Sequence, residues 1–254
     1  SNGVQADSGV VDADVLHSLQ LTRAFGENDP LKIIGAAKVK ELVWHEDAFA
    51  IGFNFGLFTS LVRLDMSVET ASGYRNGSFM TSTSALTLLE ELNMKNNLLA
   101  RNGDNGSAAT LDLSWQARLK KLNLQGTGVT RLKLATGAPL VELELPSTLE
   151  ELFLEHLPKL TEDGFSMESM ANVTGYRFAN CPGIDGFALL ERLHAAKESG
   201  AGKLERFVIE IDMEDNGALL EKYYDYGTYT SGGAIDNRHS GLRGKLRLTK
   251  YIED

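Results

Sequence analysis

Cysteine is nearly absent. Cys181 is the only one in 254 residues, so no disulfide can close within the chain. That fits a reducing compartment, and equally a bacterial surface protein that does without cystine. No apolar run approaches the ~18 residues that a membrane-spanning helix needs, so no membrane span is expected. Basic residues are outnumbered, 25 Lys and Arg against 35 Asp and Glu, and the formal charge of -10 argues against nucleic acid or an anionic bilayer as the partner, since both need a basic face. The five histidines (His17, His45, His156, His194, His239) fall into no metal-ligand spacing. The G-x-S-x-G nucleophile elbow and the G-x-x-x-x-G-K-[ST] phosphate loop are both missing. Asp212 to Gly217 (DMEDNG) puts glycine sixth, as a calcium loop does, but Tyr223 holds the twelfth place where a bidentate Glu is required. No metal and no cofactor are therefore expected. The opening Ser1-Asn2-Gly3 reads as a processing scar, with a native leader expected before it.

What the chain does have is periodic leucine. The pattern L-x-x-L-x-L runs through Leu119, Leu122 and Leu124, then Val129, Leu132 and Leu134. It continues through Leu140, Leu143 and Leu145, then Leu149, Leu152 and Leu154. Copies recur about every twenty residues with a half-phase copy between, the signature of stacked coils that pack on their neighbours. Earlier copies begin at Val39, Leu61 and Leu89, and Leu111 with Leu113 makes a partial half-phase copy. Later ones begin at Val173 (with Tyr176 and Phe178) and Leu204 (with Phe207 and Ile209). Taken as one series, these starts predict a curved solenoid with a parallel sheet along one side.

The motif and its turn position resemble the leucine-rich repeat family, L-x-x-L-x-L-x-x-N/C. Leu89 to Asn97 (LEELNMKNN) and Val173 to Cys181 (VTGYRFANC) match it over its full length. The turn Asn or Cys is suited to bond backbone groups that the bend leaves unpaired. Elsewhere that position holds Asp47, Glu69, Thr127 or Thr148, which points to an irregular horseshoe. The resemblance implies an α/β leucine-rich repeat solenoid over residues 39–211. A tail and capping helix would occupy 1–38, and a C-terminal cap 212–254. The doubled motif is similar to irregular repeats of gut Bacteroidetes surface proteins, with two short strands per turn. The run from Asn180-Cys181-Pro182 to Gly241-Leu242-Arg243-Gly244-Lys245 also resembles repeat proteins of phage and prophage tail regions.

Local signals fill in the remainder. Val15, Leu16, Leu19 and Phe25 suit a short helix ended by Asn28-Asp29-Pro30. Asp185 to Glu198 reads as a helix with Asp185 as N-cap and Gly200 just past its end, with Phe187, Leu190, Leu193 and His194 on its apolar face. Ser72 to Ser84 and Ala100 to Ala109 read as loops, and Arg243 to Ile252 as a last strand.

Outward strand positions are where a solenoid binds. Arg63, Glu91, Lys121, Glu142, Gly175 and Arg206 occupy the third motif position, with signs that alternate and neutralise one another. The acidic group Glu142, Glu144, Glu150, Glu151 and Glu155 supplies the carboxylate pairs of a hydrolase, but on a flat, wet surface that would raise no pKa. Cys181 is expected to be a buried turn thiol. Tyr223, Tyr224, Tyr226 and Tyr229 stand in a glycine-rich frame, where rings offer contact area at low entropic cost. With Arg177 and Arg206 on the adjacent coils they are the candidate binding residues, and no catalytic residue is assigned. The expected function is a non-catalytic interaction module, secreted or at the cell surface, whose partner is a protein or surface macromolecule. A carboxylate-dependent hydrolase and a phage-tail component are the alternatives.

Overall fold

Each motif copy alternates inward leucine with outward polar residues, and alternation with period two makes short strands that stack. The computed structural model describes residues 10–12, 18–21, 32–44, 54–69, 82–97, 110–212, 234–235 and 245–251. Two seven-stranded sheets run through them. The first contains β2 (Ser18–Leu21), β4 (Glu41–Trp44), β5 (Arg63–Asp65), β6 (Glu91–Asn93), β8 (Lys121–Asn123), β10 (Glu142–Leu145) and β12 (Phe165–Met167), in that order and all parallel. The second contains β7 (Thr110–Leu113), β9 (Arg131–Leu134), β11 (Glu151–Glu155), β13 (Gly175–Ala179) and β14 (Arg206–Asp212), also parallel. Its far end is closed by β16 (Lys245–Tyr251) and β15 (Ala234–Ile235), both antiparallel to their neighbours. A separate parallel pair joins β1 (Val10–Asp12) to β3 (Lys32–Ile34).

From β8 to β13 successive strands alternate strictly between the sheets, so each coil gives one strand to each. The fold is a parallel-strand β-solenoid with little helix. Leu42, Leu64, Leu92, Leu122 and Leu143 lie in register along the first sheet, followed by Phe165. Leu111, Leu132, Leu152, Tyr176 and Phe207 line the second, and all but the partly buried Phe165 belong to one continuous buried core. The carbonyl just before each of seven strands, β4, β5, β6, β8, β9, β11 and β13, accepts two N–H groups from the next coil. Lys40 accepts Val62 (2.7 Å) and Arg63 (3.0 Å), and Glu90 accepts Lys120 (2.7 Å) and Lys121 (3.1 Å). Both carbonyl lone pairs are thereby used, which keeps the coil-to-coil register fixed.

Among the buried polar side chains, Gln116 lies deepest. Gln116 is fully buried, and its Nε2 donates to the Thr83 carbonyl at 2.6 Å and the Leu86 carbonyl at 3.2 Å in the preceding coil. It ties two coils together through carbonyls that each also accept a turn N–H, Leu86 N–H to Thr83 at 3.0 Å and Leu89 N–H to Leu86 at 3.2 Å.

Helix α1 (Gly186–Glu198) starts where expected, with the Asp185 carboxylate accepting from the N–H groups of Phe187 and Ala188. Gly200 ends it at φ 76°. The helix occupies the stretch between β13 and β14 where earlier coils carry a first-sheet strand, just past the bridge between Thr161 and Gly183. Phe187, Leu190 and Leu193 are buried, together with Leu189. His194 is only partly covered, its side chain 26% exposed and 3.4 Å from Glu198.

Several expectations are corrected. The helix placed around Leu19 does not form, because Ser18–Leu21 pairs in register with Glu41–Trp44 as a strand. Ser-Leu-Gln-Leu already alternates, and pairing with β4 meets its backbone groups without a helix. The sheet along one side is two sheets. The copies beginning at Val173 and Leu204 belong to the second sheet, so the long interval from 140 to 173 crosses between sheets, and β12 is the true successor of β10. α1 is the one α-helix that lies wholly among the described residues, and convex-side helices are not a repeated feature among them. The loops at 72–84 and 100–109 fall almost wholly outside the described residues.

Leu143 is fully buried whereas Glu142 beside it is exposed. Leu143→Ala is expected to cost about 2–5 kcal/mol and Glu142→Ala less than about 1 kcal/mol in urea melts. Equal costs would refute this inward-outward phase.

Candidate functional site

The outward face of the first sheet forms a groove of about 370 Å³ that crosses five strands, from β4 to β10. Two rows of side chains pave it. The first row is Glu41, Arg63, Glu91, Lys121 and Glu142, one residue per coil and in register. Arg63 reaches Glu41 at 3.3 Å on one side and Glu91 at 3.2 Å on the other, and Lys121 reaches Glu142 at 2.7 Å. The hydrogen bond and charge of Glu142 push the Lys121 ammonium above its ordinary pKa. The sequence-level charge ladder is present here, with one break. Among the described residues no ion pair joins Glu91 to Lys121.

The second row, Val43, Asp65, Asn93, Asn123 and Glu144, was missed by reading only the third motif position. Here the residue between two inward side chains uses its Oδ1 to cap the N–H two residues on. Asp65 takes Ser67 at 2.9 Å, Asn93 takes Lys95 at 3.2 Å and Asn123 takes Gln125 at 3.0 Å. These are Asx turns, and they end the strand at the same height in each coil. The available signal was L-[DN]-[LM]-x, repeated at Asp65, Asn93, Asp112 and Asn123. Laterally, Asn93 Nδ2 donates to Asp65 at 3.3 Å and Asn123 Nδ2 to Glu144 at 2.6 Å. The two Asn side chains therefore turn away from each other, and this row breaks between β6 and β8 as the first one does.

The turn positions differ in what their side chains bond. Asn97 is buried and its Nδ2 donates to the Met66 carbonyl of the preceding coil at 2.8 Å. Thr127 Oγ1 donates to the Leu124 carbonyl at 2.8 Å, and Thr148 Oγ1 to the Val129 carbonyl at 2.7 Å. Cys181 is buried beside the Ala179 carbonyl, and burial pushes its thiol pKa up. Glu69 is exposed, and Asp47 lies outside the described residues.

The second sheet presents a different face. Arg131, Glu151, Gly175 and Arg206 form one row, so Gly175 and Arg206 do not continue the first-sheet ladder. Glu151 is nearly buried, and Arg206 Nη2 bonds its carboxylate across the intervening strand. Gly175 makes that reach feasible, since a Cβ there would overlap the Glu151 carboxylate and come within 3.3 Å of Arg206 Nε. Arg177 lies 5.4 Å over the Phe153 ring and pairs with Glu155 at 3.1 Å. At the edge strand β7, two hydrogen bonds from Ser114 hold the Asp112 carboxyl below its ordinary pKa. Both candidate arginines thus lie on one outward face, and each is engaged inside the fold. Tyr223, Tyr224, Tyr226 and Tyr229 lie outside the described residues.

The acidic group does not converge. Glu142 and Glu144 stand on the first sheet, whereas Glu151 and Glu155 stand on the second. Each of the four has a partner: Lys121, Asn123, Arg206 and Arg177 in turn. Among the described residues no group of three or more His, Cys, Asp and Glu side chains is placed to hold a metal ion, and no helix is long and apolar enough to cross a membrane. No protein-family model, curated protein or solved structure matches the chain.

Gly175→Ala is expected to lower stability by about 1–3 kcal/mol through overpacking against Glu151 and Arg206. On an Arg206→Ala background the cost should shrink, because the bridge it displaces is already gone. Denaturant melts of the four chains measure the coupling, and strict additivity would refute the bridge across Gly175.

Proposed function

We propose that the protein is a non-catalytic interaction module of the leucine-rich repeat kind, holding a protein or surface macromolecule against its first sheet. The observation that carries this reading is the groove across β4 to β10. Its floor is rigid, since the lateral bonds and Asx turns fix most of the side chains that pave it. A pre-ordered surface loses little side-chain entropy on association. The leucine-rich repeat assignment is supported by the Asn97 bond to the preceding coil and by the buried thiol of Cys181 at the equivalent turn. A location at the cell surface or in a secreted assembly follows the resemblance to gut bacterial repeat proteins, and fold-level analogy is its warrant. The dispersal of the carboxylates over two sheets disfavours the hydrolase alternative, because acid and base must flank one bond.

The test uses the protein as immobilised bait for bacterial surface extract, beside two variants that keep the native melt. Glu91→Ala with Lys121→Ala alters the groove, and Lys133→Ala alters the second sheet. Capture lost only in the groove variant is the expected result. Equal capture by all three, or turnover in a glycan and ester screen, would overturn the proposal.

A further inference from the structure

The groove is not neutral, although its first row nearly is. Five carboxylates line it against two cations. Lys121 is matched to Glu142, and Arg63 is shared between Glu41 and Glu91. In the second row Asp65 and Glu144 meet only hydroxyl, amide and backbone donors, with no cation within ion-pair distance among the described residues. They stand at the two ends of the Asn93–Asn123 pair, three ladder steps apart, which is about 14 Å at the usual strand spacing.

That separation matches an extended chain. Residues i and i+4 of a strand point the same way and lie about 13 Å apart. Between the two carboxylates, Asn93 and Asn123 each give one amide hydrogen to a neighbouring carboxylate and keep a second for a ligand carbonyl. They sit where both rows break, so a bound chain meets no competing lateral bond there. We infer that the groove takes an extended cationic segment of a partner protein, laid along the solenoid axis with Lys or Arg at i and i+4 against Asp65 and Glu144. This rests on the proposed binding role of the first sheet and names the chemistry of its partner.

Fluorescence anisotropy with three labelled heptapeptides tests it. One carries the core Lys-Val-Thr-Val-Lys, one has its lysines three apart, and one has Glu in place of both. The i,i+4 lysine peptide is expected to bind about fivefold or more tighter than either other, as two partly exposed ion pairs allow. The Asp65→Asn, Glu144→Gln double variant should erase that preference, while Asp163→Asn with Glu205→Gln, both outside the groove, should keep it. Equal affinity for the three peptides, preference for the Glu peptide, or a preference that survives Asp65→Asn with Glu144→Gln would each overturn the inference. The underlying reading fails separately, when Glu91→Ala with Lys121→Ala leaves capture of the natural partner intact.

Discussion

Each strand among the described residues pairs in register with a strand about 4.8 Å away, and that spacing governs the remainder of the structure. A residue facing inward lies on the equivalent residue of the next coil, and so does one facing outward. Each column must therefore tolerate its own repetition. Leucine does so in the core, where Leu42, Leu64, Leu92, Leu122 and Leu143 form an unbroken file. A charged column can do so only by alternating sign, as Glu41, Arg63, Glu91, Lys121 and Glu142 do. These exposed pairs add little stability individually, and their larger effect is to remove like-charge contact from a repeating surface.

The same constraint explains the exceptions. A buried polar group is tolerated where it bonds the coil beneath, as Gln116 does to Thr83 and Leu86, and Asn97 to Met66. Gly175 interrupts a column of long side chains, and the vacated space lets Arg206 reach Glu151 across a strand. Where the solenoid stops, the ladder must be terminated. An antiparallel β16 covers β14 in the second sheet, and α1 takes the place of the next strand in the first. Both devices meet or displace an edge that would otherwise invite another chain.

The leucine columns were legible in the sequence because burial imposes the same residue at each copy. The turn residues Asn97 and Cys181 were legible too, since few side chains suit a bend of that shape, whereas Thr127 and Thr148 read as departures and yet also bond backbone carbonyls. The existence of two sheets was half visible. The half-phase copies at Val129 and Leu149 were apparent, but nothing in L-x-x-L-x-L distinguishes a strand of one sheet from a strand of the other. The copies at Val173 and Leu204 were consequently placed on the wrong side. The strand at Ser18–Leu21 was hidden because four residues carry too little periodicity to outweigh a longer helical spacing. The Asp65, Asn93, Asn123 and Glu144 row was hidden for another reason. Asp65, Asn93 and Asn123 share L-[DN]-[LM]-x, but only the third motif position was read, and the lateral bonds of the row appear only in the stacked geometry.

Alternation of successive strands between two sheets is the claim on which the groove, its second face and the caps all stand. Spin-label distances on a Cys181→Ala background test it directly. Labels at Lys121→Cys with Glu142→Cys, and at Thr110→Cys with Arg131→Cys, sit on adjacent strands of the first and second sheet respectively. Both pairs should show the strong dipolar broadening of neighbours about one strand spacing apart. Lys121→Cys with Arg131→Cys joins residues closer in sequence but on different sheets, and should show none. Strong coupling in that last pair, with loss of coupling between Thr110→Cys and Arg131→Cys, would contradict the two-sheet solenoid.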